Sequence, residues 1–138
     1  MPLQLIYIDA DIFYYATALD TRKCEVSLGR DNLAHIDDAC KENSEIRVVV
    51  PQVTLGECVL NGLQGEIDIS ETLRILHHME VEFESPTSEI YRKAYTLMNY
   101  DYYLTGNDAL FISHALCNKD TKHIISTEGI FRTSRPVL

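Results

Sequence analysis

Short unbroken apolar runs alternate along this chain with longer stretches whose apolar residues recur every three to four positions. Leu3 to Ile8 is an apolar run containing Ile and Tyr, the pattern of a buried strand. Ala10 to Leu19 is helical in composition. Within Asp31–Glu42, Leu33, Ile36, Ala39 and Cys40 fall at helical spacing, with Asp31 or Arg30 near the start. Ile46 to Val50 is β-branched and predicts a second strand, which Pro51 ends. Gln52 to Leu63 reads as a helix, followed by a turn at Gly62 and Gly65. Ile69, Leu73, Leu76 and Met79 mark another helix, with Ser70 at a cap position.

The second half repeats the alternation. Val81 to Phe83 is a short strand, and Ser85-Pro86-Thr87 is a turn. Thr87 or Ser88 caps a helix that carries Ile90, Tyr91, Ala94, Tyr95, Leu97 and Met98 on one side. Thr105-Gly106-Asn107 breaks the pattern, and Asn107 is placed to cap a helix from Asp108 to about Cys117. His123 to Ser126 is a further strand, and Pro136-Val137-Leu138 is placed to add an edge strand. Strands that are apolar along their whole length and alternate with helices predict a parallel sheet covered on both faces. The expected fold is therefore a single α/β domain over residues 1–138, with four or five strands.

Composition agrees with a globular domain: 138 residues, 46% hydrophobic and 24% charged, with 6 Gly and 4 Pro. No apolar run approaches the roughly 18 residues of a membrane span. The N-terminus lacks the basic start of a secretion signal, so the expected compartment is the cytoplasm, with no membrane partner. Cys24, Cys40, Cys58 and Cys117 are widely spaced, form no metal-binding knuckle, and read as reduced thiols. His77 and His78 are adjacent, so on a helix they point about 100° apart and do not share a metal ion.

Net charge changes the picture more. The chain carries 12 Lys and Arg against 21 Asp and Glu, a net of −9. The last twenty residues are net +2, with Lys119, Lys122, Arg132 and Arg135 against Asp120 and Glu128. The remainder holds eight basic and nineteen acidic residues, a net of −11. Such a chain is poorly made for non-specific nucleic-acid binding. Its acids either coat a solvated surface or gather in a pocket that needs a cation.

Parallel sheets place ligands beyond the carboxyl ends of their strands. The first strand ends there in Ile8-Asp9-Ala10-Asp11, and the last runs out through Ser126, Thr127 and Glu128. Glu57 lies in the apolar helix after the second strand, and Asp108 opens the most apolar helix start in the chain. Each has an ordinary explanation, since Asp9 and Asp11 can cap a helix and Asp108 suits a helix dipole. All four positions at one sheet edge point instead to a shared pocket. Converging carboxylates repel unless a cation intervenes, and an all-oxygen donor set suits Mg²⁺ or Mn²⁺. Such ions hold phosphate oxygens and activate water, the chemistry of phosphoester hydrolysis.

Four stretches together resemble the PIN domain. They are Ile6-Tyr7-Ile8-Asp9-Ala10-Asp11-Ile12-Phe13; Glu57 in a helix after a strand; Asn107-Asp108-Ala109-Leu110-Phe111-Ile112-Ser113-His114-Ala115; and Ile124-Ile125-Ser126-Thr127-Glu128-Gly129-Ile130-Phe131. Their order and spacing are similar to those of single-domain PIN ribonucleases, including VapC-type toxins of toxin–antitoxin pairs. The resemblance implies a three-layer α/β/α fold with a central parallel sheet. It implies a Mg²⁺- or Mn²⁺-dependent endoribonuclease, with Asp9, Glu57, Asp108 and Glu128 as catalytic metal ligands. Asp11 and Ser126 are additional candidates. The implied partners are an RNA substrate, a small antitoxin protein and a second copy of the chain. Two positions depart from the family pattern: Glu128 stands where Asp is usual, and Asp11 where Asn or Ser is.

Two other readings stay open. Asp9-Ala10-Asp11 after an apolar strand also resembles the opening of haloacid-dehalogenase-like phosphohydrolases, but residue 13 is Phe rather than Thr or Val, and no paired acid follows Asn107-Asp108. A non-catalytic PIN-like module that binds RNA or protein is the other. Tyr91, Tyr95, Tyr100, Tyr102 and Tyr103 crowd one helix and its exit, where core packing or a subunit interface is expected ahead of base stacking.

Overall fold

The structure is a computed structural model that describes residues 2–20, 26–100 and 104–126. Its elements run β1 (Gln4–Ile8), α1 (Ala10–Thr17), α2 (Val26–Glu42), β2 (Ile46–Pro51), α3 (Gln52–Leu63), α4 (Ile69–His78), β3 (Glu82–Glu84), α5 (Ser88–Tyr100), α6 (Gly106–Leu116) and β4 (Thr121–Ile125). The four strands form one parallel sheet in the order β3-β2-β1-β4.

Two cores explain why the central strands are apolar throughout. Ile6 and Ile8 of β1 face one core with Phe13 and Ala16 of α1, Leu33 and Ile36 of α2, and Leu76 of α4. Leu5 and Tyr7 alternate to the opposite face, against Leu97 of α5 and Phe111, Ile112 and Ala115 of α6. Period-two alternation in a strand buried on both sides gives this three-layer α/β/α arrangement. The architecture is the PIN-like one expected. Among the described residues the sheet has four strands; Pro136-Val137-Leu138 lies outside them. No helix among the described residues is long and apolar enough to cross a membrane.

Several boundaries differ from the sequence expectation. Helix α2 begins at Val26, one and a half turns before Asp31. The added turn is fixed by contact: a Cβ at Gly29 would stand 2.6 Å from the backbone nitrogen of Ala16. Glycine alone allows α2 to cross α1 so closely. Caps also fall earlier. Asp68 rather than Ser70 caps α4, accepting from the Glu71 amide. Thr105 rather than Asn107 caps α6, its hydroxyl accepting from the Asp108 amide at 3.2 Å. Thr87 serves α5, its hydroxyl accepting from the Ile90 amide. Gly62 belongs to α3, and Gly65, with φ of 75°, makes the turn that follows.

The face of α5 is the main correction. Ile90, Ala94 and Leu97 are buried, but Tyr91, Tyr95 and Met98 are 56%, 71% and 40% exposed. The tyrosines are rotated off the seam with α6 and take no part in the core.

Candidate metal centre at the carboxyl edge of the sheet

The chain passes from β1 to β2 to β3 in one direction, then returns to place β4 on the other side of β1. The reversal separates the connections leaving β1 and β4, and opens a crevice at their carboxyl ends. Asp9 immediately follows β1, and Ser126 immediately follows β4. The Ser126 hydroxyl donates to Asp9 Oδ2 at 3.1 Å and lies 3.3 Å from Asp11 Oδ2. This contact closes the crevice with three of the residues singled out from sequence. The backbone continues the seam below, where the Asp9 amide donates to the Ile125 carbonyl at 2.9 Å.

Asp9 also caps α1: its Oδ1 accepts the Ala10 amide at 2.8 Å. The ordinary cap explanation is thus correct and incomplete. A simple cap on a short helix sits in solvent, whereas Asp9 is only 5% exposed. Burial pushes its carboxyl up to about 7, and the charges of Asp11 and Glu57 push the same way against the Ala10 and Ser126 hydrogen bonds. Desolvation and like charge both disfavour the carboxylate. The thiol of Cys58, next to Glu57, is pushed up to about 12 by burial, Glu57 and Asp9 together. Two independent groups therefore register Glu57 and Asp9 in one neighbourhood.

Glu57 reaches this neighbourhood because α3 starts directly at the end of β2, on the same edge. Cys58 faces the first core and Val53 the second, so α3 lies across the layers beside the crevice. Helix α3 packs on both α1 and α6. Asp108 stands in the first turn of α6, partly buried. Its carboxylate makes no hydrogen bond or ion pair among the described residues, so it shares the helix pairing but not the Asp9 bond network. Among the described residues, no three His, Cys, Asp or Glu side chains are gathered as ligands of one ion. Glu128 lies outside the described residues.

The donor chemistry fits a hard divalent cation. Asp9, Asp11, Glu57 and Ser126 offer only carboxylate and hydroxyl oxygen, and the charges of Asp11 and Glu57 add to burial in raising the Asp9 carboxyl. A cation between Asp9 and Glu57 would relieve that repulsion.

A second polar cluster escaped the sequence reading. Tyr7, fully buried, donates its hydroxyl to Glu84 at 2.9 Å from Oε2 and 3.1 Å from Oε1. Glu84 Oε1 also meets His114 Nδ1 at 2.7 Å. Asn118 Nδ2 donates to the Tyr7 hydroxyl at 3.4 Å. The phenol of Tyr7 is pushed well above its usual range by burial and by the Glu84 charge. Tyr7, Glu84 and His114 are separated by up to 107 residues along the chain, and nothing in their local spacing marks them as partners.

Between α2 and α4 runs a groove of about 480 Å³, with Leu33, Ala34, Ile75 and Met79 on its apolar side and Arg30, Asp37, Glu71 and Arg74 among its polar lining.

No family model and no curated protein matches the sequence. Among solved structures, the chain is similar to one in the crystal structure of VapBC2 from Rickettsia felis bound to a DNA fragment from its promoter. The TM-score is 0.63 at 13% identity, covering 98% of this chain and 96% of that one. This likeness, over nearly the full length of both, establishes the shared fold.

Proposed function

We propose that this chain is a Mg²⁺- or Mn²⁺-dependent endoribonuclease and the toxin member of a toxin–antitoxin pair. The observation that carries the reading is the Ser126–Asp9 contact across the β1/β4 crevice, with the negative charges of Asp11 and Glu57 acting on the same buried carboxyl. Asp9, Glu57, Asp108 and Glu128 are the proposed ligands, and Asp11 is an added acid at the rim. When bound, the ion supplies a polarised phosphate oxygen and a water acidic enough to attack phosphorus. The protein's part is positional. Ser126 and the Ala10 amide hold the two Asp9 oxygens in fixed directions, and the burial of Asp9 keeps its carboxylate out of bulk water. Asp11 takes the second contact of Ser126 and so faces the same opening.

The neighbouring fold was solved as VapBC2 on promoter DNA. By that analogy a small protein partner is proposed here, with a basic side chain entering beside Asp9 through charge-assisted bonds. The groove between α2 and α4 suits an amphipathic segment of that partner. The exposed Tyr91, Tyr95 and Met98 stripe, spaced i, i+4, i+7, is the proposed seam with a second copy of the chain. Light scattering at twice the chain mass supports that seam, and a monomer at all concentrations rejects it.

The test is cleavage of single-stranded RNA with Mn²⁺ or with EDTA. Wild type should cut only with metal, and Glu57→Gln and Asp108→Asn should each lose at least 100-fold. Cleavage that survives both substitutions would refute the assignment.

A further inference from the structure

Helix α6 reads Gly-Asn-Asp-Ala-Leu-Phe-Ile-Ser-His-Ala-Leu, and its buried face is otherwise made of small and apolar groups. Packing seats such a face, and a hydrogen bond, being directional, adds a fixed reference point to it. Ser113 spends its hydroxyl on its own helix, donating to the Ala109 carbonyl at 2.6 Å. Among the described residues, His114 is an α6 side chain with a hydrogen bond to another element, meeting Glu84, which in turn accepts from Tyr7. Burying this trio is costly. His114 and Tyr7 are fully buried, and His114 Nε2 has no hydrogen-bond partner among the described residues. Leucine at 114 would fill similar space with no polar atom to satisfy, and Glu84 would keep its bond from Tyr7. Buried polar groups kept at such cost are best explained by a demand for one arrangement.

The place of the trio says what is arranged. Glu84 pairs in register with Pro51, and Tyr7 with Val49. Two residues on from Tyr7 is Asp9, and two on from Val49 is Pro51. Glu84 and Asp9 therefore stand at the same level of the sheet, at its carboxyl edge. His114 lies six residues from Asp108, about 9 Å along the helix. A slip of α6 by one residue would turn Asp108 by about 100°. We infer that His114, held by Glu84 and Tyr7, is the positioning residue that fixes α6 on the sheet and thereby aims Asp108 at the ion shared with Asp9.

This inference rests on the metal-nuclease reading, and its test separates the two. The variants are His114→Leu, which removes the directional bond, and His114→Asn, whose amide returns a donor near the Nδ1 position. Two quantities are read well below each melting temperature: the half-saturating Mn²⁺ concentration for RNA cleavage, and the Mn²⁺ concentration that gives half the metal-induced rise in melting temperature. His114→Leu should raise both at least tenfold while its EDTA melting temperature holds or rises. His114→Asn should return both to within about threefold of wild type. If His114→Leu does not fold, Glu84→Gln replaces it, with a smaller rise in both expected. Unchanged Mn²⁺ dependence in the folded variant overturns the inference and leaves the nuclease reading standing. A metal-induced rise that shifts as described, in a wild-type protein that cuts no RNA, upholds the positioning role and overturns the nuclease. A wild type with neither cleavage nor a metal-induced rise overturns both.

Discussion

At the scale of single residues, Asp9 does two jobs that pull its charge in opposite directions. As an N-cap it is helped by ionisation, and as a buried acid beside Asp11 and Glu57 it is hindered. Hindrance wins, since its carboxyl moves from 3.8 to about 7. A folded-state value above the unfolded one means the protonated group favours folding. That contribution is whole below about pH 4 and is lost as pH rises through 7. Its upper bound is on the order of 4 kcal/mol, and relaxation of the site brings the expected effect to about 1–3 kcal/mol. Asp9→Asn keeps the cap, because Asn is as good there as Asp. In EDTA, the variant should match wild type near pH 4 and exceed it by that amount at pH 8, as read by urea denaturation across pH. A constant difference at both pH values would show that the acid is not repelled in the native state. The sequence made Asp9 legible because it follows an apolar strand. It hid the burial, which comes from β4 and α3 closing over it.

At the scale of elements, pattern predicted type more reliably than boundary. Gln52–Leu63 is a helix with the predicted limits because Pro51 and the Gly65 turn, both local signals, fix its ends. The start of α2 was missed because its first turns are held by contact with α1 at Gly29, which only folding creates. The α5 face was misread because Ile90, Ala94 and Leu97 share helical spacing with Tyr91, Tyr95 and Met98, and periodicity alone does not say which of two adjacent stripes meets the sheet. The glycines give a contrast that tests the packing. Gly29→Ala places a methyl 2.6 Å from backbone that has no flexible side chain to yield, so about 1–3 kcal/mol of stability should be lost. Gly56, inside α3, has open space where its Cβ would stand, so Gly56→Ala should add about 0.5–1 kcal/mol. Thermal melting of both variants measures this. A destabilised Gly56→Ala beside a neutral Gly29→Ala would mean that the α1/α2 crossing and the free face of α3 are assigned the wrong way round.

At the scale of the whole molecule, the parallel sheet and its two covered faces were readable from strands that are apolar throughout. The order β3-β2-β1-β4 was not, because nothing in a strand's own residues says which neighbour it pairs with. That order matters most for function. It puts the chain reversal between β1 and β4, and so turns acids far apart in sequence into neighbours of one crevice. Asp9, Asp11 and Ser126 meet there directly, and Glu57 meets them through its charge. The Tyr7–Glu84–His114 network was invisible beforehand for the same reason, since it spans three elements that only the topology brings together.

The proposed function requires this crevice to hold a divalent cation and to cut RNA. Asp9→Asn tests it most directly, because Asn preserves the cap and removes only the charge of the proposed ligand. Cleavage of an end-labelled single-stranded RNA is followed for wild type and variant, in Mn²⁺ and in EDTA. Wild type should cut only with Mn²⁺, and the folded variant should lose at least 100-fold. Equal cutting by the two proteins, or cutting by wild type that is indifferent to EDTA, would contradict it.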